Sequence, residues 1–163
     1  MTIRHREATA AAPRLSPITR VAPELIATAT LVIDTPGAGF TEFTRDAARF
    51  VVEAGAQDGM LLVFLRHTSA SLVIQENADP DVQADLATAL RRLAPSDAGW
   101  VHDTEGPDDM PAHIKAMLTG VSLQIPVLAG ALALGTWQGL YLIEHRTRPH
   151  RRELVLQFVG RCR

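Results

Sequence analysis

Residues 121–159 read VSLQIPVLAGALALGTWQGLYLIEHRTRPHRRELVLQFV, and this stretch decides the fold. It holds three apolar runs, roughly 121–127, 134–145 and 152–159, joined by short turns. Connections this short favour antiparallel pairing, because a parallel pair needs a crossover of a dozen residues or more. Upstream, Leu25 to Asp34 (LIATATLVID) alternates β-branched and small residues before the turn Thr35-Pro36-Gly37. Met60 to Arg66 (MLLVFLR) reads as a central strand, and Ser71 to Gln75 as a shorter one. Three helices are predicted. The first runs from a Thr41 cap to about Ala54, burying Phe43, Ala47, Phe50 and Val51, and Gly55 stops it. The second runs from about Asp81 to Leu93 behind Asp79-Pro80, with Val82, Leu86, Leu90 and Leu93 at helical spacing. The third follows Asp108-Asp109-Met110-Pro111 to Gly120, with Met110, Ile114, Met117 and Leu118 as its stripe. The expected class is α+β: a single domain of largely antiparallel strands with about three helices.

A chain of 163 residues suffices for one domain with a real core. Apolar residues at 47% and charged residues at 21% are ordinary for a globular protein. A formal charge of -2 offers no broad basic surface, which argues against nucleic acid as a partner. The most apolar run, Val121 to Leu134, is broken by Gln124, Pro126 and Gly130, so no membrane span is expected. Residues 1–20 lack a hydrophobic segment and a periodic apolar face; they read as a flexible extension rather than a secretory signal, leaving 21–163 as the domain. The single cysteine, Cys162, has no disulfide partner and points to a reducing, cytoplasmic setting.

Polar residues that stand out from this background fall in four clusters: His67-Thr68-Ser69, Glu76-Asn77-Ala78-Asp79, the segment His102 to His113, and Gly135 to Gln138 continued by Glu144-His145-Arg146. Singly, each has an ordinary structural reading as a turn, a helix cap or a half-buried imidazole. Together they hold four of the six histidines, each at or near an element end. Asp109 and His113 are i, i+4 neighbours on one helix face. A histidine held by a carboxylate suits metal ligation or proton transfer. Glu144 and His145, adjacent on a strand, point to opposite faces.

The motifs HTSASLVIQENADPDVQADL, H-x-x-EG-DDMPAHIK and LGTWQG-x-YL-x-EHR closely resemble the YjbQ-like family, described as secondary thiamine phosphate synthases. The likeness spans roughly residue 24 to the end. It implies a small antiparallel α+β sandwich, a homotrimer, weak thiamine phosphate synthase activity and a histidine-lined site at which metal is suspected. That activity would join a pyrimidine diphosphate to a thiazole phosphate and release pyrophosphate.

Diphosphate departure needs charge neutralisation. The expected catalytic residues are His67, Glu76, Asn77, Asp79, Glu105, Asp109 and Glu144. Ser69, Lys115, Thr136, Gln138 and Arg146 are expected to bind phosphate. His102, His113 and His145 are the candidate ligands of a divalent metal, and three imidazoles suit Zn²⁺ better than Mg²⁺. Two alternatives stand beside the transferase. One is a metal-dependent hydrolase or lyase of a phosphorylated small metabolite; the other is a non-catalytic metal- or metabolite-binding protein.

Overall fold

In the computed structural model, residues 15–163 are described, so most of the expected 1–20 extension lies outside the described residues. Residues 15–24 carry no regular structure and are exposed. The alternating segment forms β1 (Leu25–Thr35), and the last apolar run forms the long β8 (His150–Cys162). They pair antiparallel from Leu25↔Gly160 to Thr35↔His150. β3 (Ala56–Leu65) lies on the other side of β8, followed by β5 (Ser122–Leu128) and the two-residue β6 (Ala131–Leu132). A second sheet has β7 (Gln138–Glu144) at its centre, between β2 (Gly39–Glu42) and β4 (Ala70–Glu76). Every pairing between these strands is antiparallel.

Strand alternation supplies the core between the sheets. Leu61, Val63 and Leu65 of β3 and Leu154, Leu156 and Phe158 of β8 face Leu72, Leu140 and Leu142 of the smaller sheet. Helix α1 (Thr44–Glu53) adds Ala47 and Val51, with Phe43 just ahead of it. Gly59 and Gly160 are cross-strand partners beneath the Phe158 ring, and a Cβ on either would run into that ring.

Four local expectations are corrected. Thr41 does not cap α1; residues 39–42 instead pair with β7, Phe40 opposite Ile143. A central strand with a free edge outcompetes a side-chain cap, and Thr44 Oγ1 accepts from the Leu140 amide at 2.9 Å. The last two apolar runs do not pair with each other. β7 is buried on both sides, so it sits mid-sheet in its own layer, and the turn after it crosses to the other sheet. The strand expected from 134 begins only at Gln138, because Gly135 to Gln138 close a turn with the Gln138 amide donating to the Gly135 carbonyl at 3.0 Å.

The fourth correction concerns helix stripes. Helix α2 (Pro80–Leu93) is capped as expected, Asp79 accepting from the Asp81 amide at 2.9 Å, yet it has no buried residue and Leu93 is 66% exposed. Helix α3 (Asp109–Thr119) buries Asp109, Ala112 and Ala116, while Met117 and Leu118 are 77% and 55% exposed. Small side chains let α3 approach β4 closely, and that fit overrides the larger apolar stripe. No helix among the described residues is long and apolar enough to cross a membrane.

Candidate metal centre

Asp109 opens α3 but caps nothing; its carboxylate is buried and turned to other partners. Oδ2 lies 2.8 Å from His102 Nε2 and 3.2 Å from Nε2 of His113, one turn further along α3. One ligand atom from each of these residues can be chosen so that all lie within 4.8 Å of one another. Oδ1 is held by Arg146 Nη1.

The tautomer of His113 tests whether these residues fit a cation. Its Nδ1 is 2.9 Å from the Thr68 carbonyl oxygen, which can only accept. Nδ1 therefore carries a proton, and in the neutral ring Nε2 is a lone pair aimed at a carboxylate oxygen. Two acceptors at 3.2 Å need a positive charge between or on them. A second proton would serve, and so would a metal ion. An imidazole that donates its remote N–H to a backbone carbonyl has the usual outer contact of a metal ligand. Two imidazoles and one carboxylate suit a divalent transition ion better than Mg²⁺.

Arg146 fixes the loop that delivers His102. Its Nη2 donates to the Glu105 carbonyl at 2.7 Å, and its Nε makes a 3.3 Å charge contact with Asp108 Oδ1 that is not an aligned hydrogen bond. Asp108 Oδ2 accepts from the Thr147 amide and hydroxyl at 2.8 and 2.9 Å. Burial raises the Asp108 pKa, but the Thr147 donors and Arg146 outweigh it and lower it to about 2.

Behind the cluster lies a buried ion pair. Arg152 Nε and Nη2 each donate to Glu144 at 2.7 Å, with both side chains 1% exposed. Thr35 Oγ1 and the Arg146 amide complete the carboxylate's partners at 3.0 and 2.9 Å. Burial works against the Glu144 charge, yet these donors hold its pKa below the usual value. Glu144 is thus a fully engaged anchor of the fold. Arg152 also donates to Ser69 Oγ at 3.2 Å, which ties Ser69 to this network. The Ser69 amide donates to His67 Nδ1 at 3.1 Å, which directs the neutral ring's own proton to Nε2. Burial, then Arg152, pushes the His67 pKa down.

His145 is placed elsewhere, which corrects its assignment as a ligand beside His102 and His113. It is buried on the opposite face of its strand from Glu144, with Nε2 2.8 Å from Ser71 Oγ. Burial, then Lys115, lowers its pKa to about 4. Glu76, Asn77, Asp79, Thr136 and Gln138 gather at the far end of the small sheet. Glu76 pairs with Gln138 there, whereas Ala70 pairs with Glu144 at the near end. Six strand steps separate the two ends, about 20 Å. Within one chain the expected site therefore divides: His102, Glu105, Asp109, His113 and Arg146 come together with His67 adjacent, and the other group stays apart. Asp79 is the α2 cap. Lys115 faces a cavity away from the cluster. Arg152 was missed, although it lies in phase with Leu154, Leu156 and Phe158 on the inward face of β8.

The chain matches the family described as UPF0047 protein YjbQ-like over residues 29–161. A UPF0047 protein of Synechocystis is 51% identical over 131 residues, covering 80% of this chain and 89% of that protein. The UPF0047 protein YjbQ of Salmonella typhimurium is 47% identical over 104 residues, 64% of this chain and 75% of its own length. A crystal structure of a yjbq/upf0047 family protein from Clostridium acetobutylicum aligns with TM-score 0.70 at 38% identity, covering 81% of this chain and 98% of that one. A Sulfolobus solfataricus protein, titled a YbjQ-like protein of unknown function, shares the fold with TM-score 0.75 at 23% identity, covering 84% and 100%. None of these names carries an activity. The expectation of thiamine phosphate synthesis is therefore corrected: these relatives are called only UPF0047 or YjbQ, or of unknown function, and the transferase reading is withdrawn.

Proposed function

Because the chain belongs to the YjbQ-like UPF0047 family, whose named relatives supply no reaction, we propose a function from the site itself: a divalent transition-metal centre held by His102, Asp109 and His113. The observation that carries this reading is His113 Nε2 lying 3.2 Å from a carboxylate oxygen while Nδ1 is committed to the Thr68 carbonyl. A metal bound by three protein groups would supply Lewis acidity at its open positions and lower the pKa of a bound water. The protein's own groups have complementary parts. Arg146 fixes the Asp109 carboxylate and the His102 loop. His67, exposed beside the cluster with its neutral-form N–H on Nε2, would offer a hydrogen bond to an oxygen of a bound substrate. We read the protein as an enzyme on this basis.

Two further parts of the reading follow. The assembly is a homotrimer, supported by the uncovered apolar residues of α2 and α3. The setting is cytoplasmic, in keeping with the single exposed cysteine.

Metal content tests the proposal. Chelator-stripped protein titrated with Zn²⁺, Mn²⁺ and Fe²⁺ by calorimetry is expected to bind one ion per chain, and His113→Ala to lose at least about 100-fold in affinity. Unchanged affinity in His113→Ala and Asp109→Asn, both still folded, would refute it.

A further inference from the structure

Helix α3 presents a second polar face that the metal centre does not use. Asp108, Pro111 and Lys115 lie along a line about 140° around the axis from Asp109 and His113. They border an open-mouthed cavity of about 430 Å³ between α2, α3, β2 and the end of β7. That volume falls within the range of small-molecule sites, about 300–1,000 Å³. Its apolar walls come from Phe40, Ala87, Leu90 and Ile143.

The charges on these walls are unbalanced. Glu144 is consumed by Arg152, and Asp108 by Thr147 and Arg146. Asp97 stands exposed on the loop after α2. Two cations remain. Among the described residues, the Arg91 side chain of α2 donates only to the Thr88 hydroxyl, at 2.7 Å. Lys115 of α3 is half-buried and has no ion pair among the described residues. Like charges turned into one partly apolar space destabilise each other, and an anion between them would remove that cost. His145 closes the inner end as a neutral ring, able to add a hydrogen bond but no charge.

We propose that this cavity binds a small molecule by an anionic group, phosphate or carboxylate, seated between Lys115 and Arg91 with its apolar body against Phe40, Leu90 and Ile143. The site is separate from the metal centre and does not depend on it. Only Lys115 of the residues first expected to bind phosphate belongs here; Arg146, Ser69, Thr136 and Gln138 do not line the cavity.

The test is calorimetric titration of chelator-stripped protein with inorganic phosphate and, separately, malonate, at constant ionic strength set by chloride. Saturable binding is expected, weakened at least tenfold by Lys115→Gln and by Arg91→Gln. It should be unchanged in Arg161→Gln, which removes a surface cation paired with Asp58. Tighter phosphate than malonate would make the ligand a phosphate ester, and the reverse a carboxylate. Binding no stronger than chloride, binding that survives both substitutions, or binding lost in His113→Ala but not in Lys115→Gln would overturn the proposal. Since Arg91 is an exposed helix residue, its variant keeps the test valid should the Lys115 variant fold poorly.

Discussion

At the scale of single residues, the Glu144–Arg152 pair and His145 make the sharpest demands on the fold. Removing one partner of a buried ion pair leaves an uncompensated charge, which typically costs about 3–5 kcal/mol. Arg152→Met is expected to lose stability of that order in urea denaturation, and the double variant Glu144→Gln, Arg152→Met to recover part of it. If the single variant matches wild type, the pair does not anchor the fold. His145 adds a pH effect. Its folded pKa is lowered to about 4 from 6.5, so between those values the unfolded chain binds the extra proton and stability falls with pH. The loss approaches about 3 kcal/mol by pH 4. Lys115, Glu144 and Arg152 are the charged groups whose fields reach the ring. His145→Gln should be flatter than wild type over that window, and equal slopes would count against a buried neutral imidazole. Arg152 was visible in the sequence, since alternation puts it on the same face as Leu154 and Phe158. A charged residue defaults to solvent in such a reading unless a buried partner is known, and Glu144 on another strand offered no local sign of one.

At the scale of elements, helix α3 shows where periodicity misleads. Met110, Ile114, Met117 and Leu118 have the spacing of a core stripe, yet the face against β4 is built from Ala112, Ala116 and the Asp109 carboxylate. Close approach favours small residues, and hydropathy alone does not register closeness. Ala116→Leu is therefore expected to overpack and cost about 1–3 kcal/mol, whereas Met117→Ala should stay within about 0.5 kcal/mol. The opposite order in thermal denaturation would restore the larger stripe. The i, i+4 relation of Asp109 and His113 was legible, because it depends only on helix geometry. That His102 joins them, and that His145 does not, depends on a loop tied down by Arg146 and on the face of β7. Neither follows from local spacing. The strands were legible for the same reason as the helix pair, through alternation, whereas their division into two sheets came from the family resemblance and not from local pattern.

At the scale of the whole molecule, the two sheets hold α3 so that one face carries the Asp109 and His113 side chains of the cluster and another borders the cavity. The exposed apolar residues of α2 and α3 are expected to be covered in a trimer, and light scattering at micromolar concentration should give three times the chain mass of 17.7 kDa. A monomer mass would leave that surface unexplained and remove the trimer from the account. The central claim is the metal centre, and anomalous diffraction from crystals grown with Zn²⁺ tests it most directly. The account expects one strong peak per chain among His102 Nε2, Asp109 Oδ2 and His113 Nε2, about 2.0–2.2 Å from each ligand atom. A map without a peak there at millimolar Zn²⁺, or with the strong peak at His145 or elsewhere, would contradict it.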